Sequence, residues 1–190
     1  MTFPNVTDPD DEVTRWALRA ARSGDRAALE RFVRATQRDV WRFIAHLADV
    51  DVADDLAQET YARALASLRR FAGRSSARTW LLSIARRVVV DQIRMARSRP
   101  RLSPGADWER AADRRPVESG FEGVVELTVL LDALDPDRRE ALVLTQVLGL
   151  SYAEAAEIAG CPIGTIRSRV ARAREDLVRA TGRSDATEAG

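Results

Sequence analysis

The sequence predicts an all-α chain folded as two small helical domains joined by a flexible linker. Three observations predict it. Apolar residues recur at helical spacing (i, i+3, i+4, i+7) along most of the chain, with no alternating strand pattern anywhere. That period collapses between Ser98 and Gly120, where prolines, glycines and mixed charges interrupt it. A length of 190 residues suits one mid-sized domain or two small ones.

The elements follow in order. Residues 1–10 read as a disordered tail, and the first domain spans 11–98. Val13, Trp16, Ala17 and Ala20 mark a first helix, which Ser23-Gly24-Asp25 ends while capping the next. Leu29, Phe32, Val33, Val40, Phe43, Ile44 and Leu47 give a long second helix. Asp51 is placed to cap a third, with Leu56, Tyr61, Leu65 and Leu68 expected to face inward. Phe71 to Ser76 reads as a loop broken by glycine and serine. Ser76 can cap a fourth helix, whose apolar stripe is Trp80, Leu81, Ile84, Ala85 and Val88.

Residues 99–120 form the linker, and Trp108 lies in it without apolar neighbours. The second domain spans 121–180. A helix is expected over 121–134, and Asp135-Pro136 starts another with Ala141, Leu142, Leu144, Thr145 and Leu148 inside; Gly149 stops it. Residues 181–190 read as a frayed polar tail.

Composition narrows the function. Hydrophobic residues make up 45% of the chain and aromatics 6%, so any core rests on Leu, Val, Ile and Ala. No apolar run approaches the roughly 18 residues of a membrane helix. The first twelve residues carry four acids and no base, the opposite of a signal peptide, so a cytoplasmic protein without membrane contact is expected. A lone cysteine, Cys161, leaves no internal disulfide, and with His46 as the one histidine a Cys/His zinc site is excluded. Cys161, beside a turn, reads as a small buried residue rather than a redox switch. Every basic residue is arginine, which removes a P-loop or Schiff-base lysine. No cofactor, metal or catalytic group is expected.

The charge is segregated. Residues 49–59 carry five acids and no arginine, a net of −5. Residues 69–101 carry ten arginines against Asp91, a net of +9, and residues 163–180 carry five against Glu175 and Asp176, a net of +3. One acidic and two basic surfaces point to two kinds of partner.

Residues 151–180 are the most informative. Ser151 and Glu154 form a capping box for a short helix over 152–159. Gly160-Cys161-Pro162 then breaks the chain, with Pro162 at the mouth of the following helix. That helix buries Ile166, Val170, Ala173 and Leu177 and presents Arg167, Ser168, Ala171, Arg172 and Arg174 on its other side. A short helix, a tight turn and a second helix with a basic outer face form a helix-turn-helix that reads duplex DNA from the major groove. Arginine reads guanine through O6 and N7, and small residues such as Ser168 and Ala171 allow close approach. Tyr152, Thr165, Arg169 and Arg174 are better placed for phosphates.

The stretch SYAEAAEIAGCPIGTIRSRVARARE resembles region 4.2 of bacterial sigma-70-family factors of the extracytoplasmic-function (ECF, group IV) type. DVADDLAQETYARAL is similar to region 2.2 and FAGRSSARTWLLSIARRVVVDQIR to regions 2.3 and 2.4, in the same order. The resemblance covers nearly the whole chain outside the two tails. It implies a region 2 bundle and a region 4 helix-turn-helix. It also implies a factor that binds the clamp helices of the largest core RNA polymerase subunit, melts the −10 element and reads the −35 element as duplex. Asp55, Gln58 and Glu59 fall on the family's polymerase-binding surface. Arg74, Ser75 and Ser76 lie in the loop that captures a flipped base. Arg78, Ser83, Arg86, Arg87 and Arg94 are expected at the −10 region. Trp80 sits at a melting position of primary sigma factors, but its neighbour there is Leu81, which favours a core role. Many relatives are held by an anti-sigma factor that covers both domains. The protein is expected to act as a monomer.

Two other readings compete. A two-domain helix-turn-helix regulator not associated with core polymerase shares the second domain but has no need of the basic block in the first. A nuclease would need clustered carboxylates. Asp51, Asp54 and Asp55 crowd one helix start instead, where acids favour the helix dipole.

Overall fold

The computed structural model describes residues 9–98 and 131–188, with side chains for 10–96 and 131–179. The expected linker, Trp108 and most of the helix placed over 121–134 lie outside them. Every element in the described residues is helical. The first domain contains α1 (Pro9–Ser23), α2 (Arg26–Leu47), α3 (Val50–Ser67), a 3₁₀ turn (Leu68–Arg70) and α4 (Ala77–Ser98). The second contains α5 (Pro136–Leu142), a π-helical segment (Val143–Val147), α6 (Tyr152–Ala159) and α7 (Ile163–Glu188).

Local chemistry sets the boundaries. Gly24, at φ +67°, ends α1 in a left-handed conformation that suits a residue without Cβ. Asp25 then caps α2 by accepting from the Ala28 N–H at 3.0 Å. That hydrogen bond is the main reason its carboxyl lies below the usual range. Ser76 caps α4 as expected, accepting from the Thr79 N–H at 3.1 Å. Helix α3 departs from expectation. Its cap is Asp49, not Asp51. Asp49 is extended, and its carboxylate accepts from the Asp51 N–H at 3.1 Å. Asp51 is already helical, and its N–H is one of the groups that needs an acceptor.

The first core is built on Phe32, Phe43, Ile44, Leu81 and Leu82, all essentially inaccessible. Each such side chain contributes about 1.5–3 kcal/mol on burial. The hydroxyls of Thr36 and Tyr61 meet at 2.8 Å between α2 and α3, and burial pushes the Tyr61 phenol up to about 12. Leu65 corrects a second expectation: it is 45% exposed. Nine residues separate it from buried Leu56, so at about 100° per residue it lies on the opposite side of α3.

In the second domain Asp135 caps α5, with Pro136 in the first turn. The π segment was not anticipated; there the Leu148 N–H reaches back to the Val143 carbonyl at 3.0 Å. Helix α7 runs to Glu188, so residues 181–188 are helical rather than a frayed tail. The two domains touch: α6 packs on α4, while α5 and the π segment reach α2.

Candidate nucleic-acid interface

The helix-turn-helix forms as the sequence predicts. The Glu154 N–H donates to Ser151 Oγ at 3.2 Å and the Ser151 N–H returns to the Glu154 carboxylate at 2.9 Å, completing the capping box. Gly160, at φ +65°, makes the turn. Ile166, Val170 and Ala173 are buried, and Leu177 is half-buried against the same core.

The expected −35 residues divide into two groups. Arg167, Ser168, Ala171 and Arg172 are exposed on the outer side of α7. Neither Arg167 nor Arg172 has an acidic partner among the described residues. Ser168 turns its hydroxyl back to the Thr165 carbonyl at 2.9 Å. Arg169 is held instead by an ion pair with Asp137 and a contact to the Cys161 sulfur. Arg174 donates to Gln146 Oε1 at 2.7 Å. Tyr152 and Thr165 are half-buried at the margin.

The expected −10 residues also divide. Gly73 takes φ +69°, and a Cβ there would lie 3.2 Å from the Leu18 side chain; both features favour glycine in the 71–76 loop. Arg74 is exposed on this loop, with Ser75 and Ser76 half-buried behind it. Arg87 and Arg94 are exposed on α4. Ser83 donates to the Thr79 carbonyl at 2.9 Å. Arg78 and Arg86, however, face the second domain. Arg78 binds Asp39 through Nε at 2.7 Å and donates Nη2 to the Leu148 carbonyl at 2.6 Å. Arg86 makes a two-pronged ion pair with Glu140, whose side chain is only 9% exposed. That carboxylate is the main cause that raises the Arg86 pKa, so the arginine stays charged. Thr79 approaches Glu154 of the capping box at 3.5 Å. Trp80 is half-buried, its ring tilted 36° against Phe71 at 4.9 Å, and packed on the core.

Asp55, Gln58 and Glu59 are all exposed on α3. Glu59 accepts from Arg63 at 2.7 Å, and Arg63 bridges to Asp91 on α4 at 2.8 Å. Beside them lies a groove between α2 and α3, walled by Val33, Trp41, Ala57, Gln58, Tyr61 and Leu65. Trp41 is fixed there by its indole N–H, which donates to Asp54 at 2.9 Å.

Sequence reasoning missed this groove and the partners Asp137, Glu140, Gln146 and Leu148. One signal was available. Glu140 shares the i, i+4, i+8 stripe of Leu144 and Leu148, and a carboxylate on an apolar face needs a counter-ion. Among the described residues no three His, Cys, Asp or Glu side chains are grouped to hold a metal, and no helix is long and apolar enough to cross a membrane.

Comparison with known proteins matches residues 32–99 to the family model "Sigma-70 region 2" and residues 125–177 to "Sigma-70, region 4". The ECF RNA polymerase sigma factor SigC of Mycobacterium tuberculosis is 59% identical over 174 residues, covering 91% of this chain and 94% of that protein. The Bartonella quintana sigma factor RpoE, solved in complex with the anti-sigma factor NepR, superimposes with a TM-score of 0.63 at 29% identity, over 78% of this chain and 93% of that one. CnrH, solved with the cytosolic domain of CnrY, gives 0.69 at 24% identity, over 90% of this chain and 98% of that one, and shows the shared fold.

Proposed function

Since this chain belongs to the sigma-70 family of RNA polymerase sigma factors, in its extracytoplasmic-function group, we propose how its surfaces divide the work of promoter-specific initiation. It binds core RNA polymerase and directs it to promoters. Residues 11–98 form the polymerase and −10 unit, and residues 121–180 the −35 unit. The exposed acidic side of α3 at Asp55, Gln58 and Glu59, with the adjoining groove at Trp41 and Leu65, docks on the clamp helices of the largest polymerase subunit. Complementary charge steers that docking, and the buried apolar patch holds it. Helix α7 enters the −35 major groove, where Arg167 and Arg172 reach base edges and Ser168 and Ala171 permit close approach. Tyr152, Thr165, Arg169 and Arg174 flank it toward the phosphates. The 71–76 loop, with Arg74, Ser75 and Ser76, receives a flipped −10 base. Arg78, Ser83, Arg86, Arg87 and Arg94 line the path of the strand.

One observation carries this reading: a single chain joins an outward arginine face on a helix-turn-helix to a second helical unit with an acidic face and an arginine-lined helix. An ordinary regulator has no use for the second pair of surfaces. The factor is non-catalytic and works in the cytoplasm, where polymerase is. An anti-sigma factor, the partner of the Bartonella RpoE in its solved complex, is the natural antagonist for this chain as well. Because Arg78 and Arg86 contact the second domain, −10 reading requires the two domains to part.

The test is co-migration with core polymerase. Asp55→Arg with Glu59→Arg should weaken it at least tenfold and leave binding of −35 duplex unchanged. Undiminished polymerase binding in that variant would remove the acidic face from the account.

A further inference from the structure

His46 is the one histidine of the chain and is 1% exposed. It lies in the last turn of α2, where four successive residues, Phe43 to His46, are all buried. A helix on the outside of a bundle normally leaves one side to solvent. The first half of α2 does so, with Arg31, Arg34 and Arg38 exposed on that side. At about 100° per residue, Ala45 returns to the side of Arg38 after seven residues, and His46 stands one turn beyond Arg42. Ala45 is nevertheless 0% exposed. Among the described residues, α5 and the π segment are second-domain elements that pack on α2, and Arg139 of α5 lies close enough to act on His46 electrostatically. Leu47, Arg86, Arg139 and Glu140 wall one cleft between α2, α4 and α5.

Two arginines act on the imidazole. Arg42 comes from α2 itself and Arg139 from α5. Among the described residues, the nearby acids of the second domain form ion pairs: Glu140 with Arg86 of α4, and Asp132 with Arg139 at 2.6 Å. Asp137, also on α5, is engaged by Arg169.

We infer that docking of the second domain on the first is proton-sensitive and that His46 is the group that reads the proton. The docked chain accommodates the neutral imidazole. A protonated one adds a third positive charge to a closed site beside Arg42 and Arg139, and the domains separate to hydrate it.

Burial first, then those two guanidiniums, hold the His46 pKa down to about 4, against an ordinary 6.5. The docked state therefore binds fewer protons than the open state. Docking is at full strength above pH 6.5 and weakens as pH falls from there toward about 4. Between about pH 7.5 and 5.5 the docking constant should fall about tenfold. Opening releases Arg78 and Arg86. Their use at DNA rests on the promoter-binding reading, whereas the proton-linked docking does not.

A single histidine allows a direct test on the full chain, because its imidazole C2 proton gives one NMR resonance without assignment. The intact protein should titrate more than one pH unit below 6.5. Glu140→Arg, which sets like charge against Arg86, should open the interface and bring the midpoint back toward 6.5. Arg78→Ala provides a second route to opening if circular dichroism shows that Glu140→Arg has lost helicity. Interdomain energy transfer, with dyes on the two domains, should fall with pH in the intact protein and stay flat in His46→Gln. The inference is overturned by a midpoint that stays low once energy transfer shows the domains apart. It is equally overturned by pH-dependent separation that persists in His46→Gln. Neither outcome depends on whether polymerase is bound, so failure here and failure of the promoter reading are told apart.

Discussion

Arg78 of the first domain donates Nη2 to the main-chain carbonyl of Leu148 in the second, at 2.6 Å. The same guanidinium binds Asp39 through Nε at 2.7 Å. One arginine thus joins the helix assigned to −10 DNA to the segment that leads into the DNA-reading helix-turn-helix. For the −10 role proposed above this has a consequence: these donors cannot serve Asp39 and the Leu148 carbonyl and, at the same time, a DNA phosphate.

The partner contact one helical stretch further on should therefore tune the balance. Glu140→Gln removes the charge that engages Arg86 and should weaken docking by about 1.5–3 kcal/mol, the range for a hydrogen bond to a charged group. Small-angle scattering should show a larger radius of gyration, and single-stranded −10 DNA should bind more tightly. An unchanged radius would show that apolar packing of α6 on α4 alone holds the domains together.

Arg172 and Arg169 should behave differently although both are on α7. Arg172 is exposed and Arg169 is engaged by Asp137. Arg172→Ala should cost about 1–3 kcal/mol at one base pair of the −35 element and relax its specificity there. Once released from Asp137 to a phosphate, Arg169 carries no sequence information, so Arg169→Ala should weaken all −35 variants alike and reduce the salt dependence by at most about one ion. Binding to a library of −35 duplexes separates the two patterns; uniform weakening in Arg172→Ala would move it to the phosphate group.

Leu65 is 45% exposed at the rim of the groove beside Gln58. Leu65→Asp should leave the melting temperature within about 0.5 kcal/mol of equivalent stability, as expected for a surface position. It should weaken core polymerase binding by tenfold or more. A normal affinity would remove the groove from the docking surface.

Ser151 and Glu154 each accept the other's main-chain N–H at the start of α6. Ser151→Ala should destabilise the second domain by about 0.5–2 kcal/mol. Chemical denaturation followed by circular dichroism measures it.

The helix starts and stops that depend on local chemistry were legible in the sequence. Gly24, Asp25, Ser76, Ser151 and Gly160 do what their residue types dictate. So were the buried and exposed sides of α7, because Ile166, Val170 and Ala173 mark one face and Arg167 and Arg172 the other. Less legible were features set by packing. Leu65 reads as a core residue in the apolar series Leu56, Tyr61, Leu65 and Leu68, yet nine residues from Leu56 place it on the opposite side of α3. The π segment has no sequence signature of its own. The engagement of Arg78 by Leu148 and of Arg86 by Glu140 joins residues 70 and 54 positions apart. Only the docking of two domains brings them together; the local pattern shows at most that Glu140, on an apolar stripe, needs a counter-ion, and not which one. The division of the arginines proposed to face DNA into exposed and engaged groups therefore emerged only from the structure.

The most direct test is run-off transcription by core RNA polymerase, with and without this protein, on a promoter library randomised at −35 and −10. The account predicts initiation that depends on the protein, from templates sharing one bipartite motif. It further predicts that Arg172→Ala loosens the −35 half and Arg87→Ala impairs the −10 half. Retention of duplex DNA without polymerase binding or initiation would contradict it and leave an ordinary helix-turn-helix regulator as the better description.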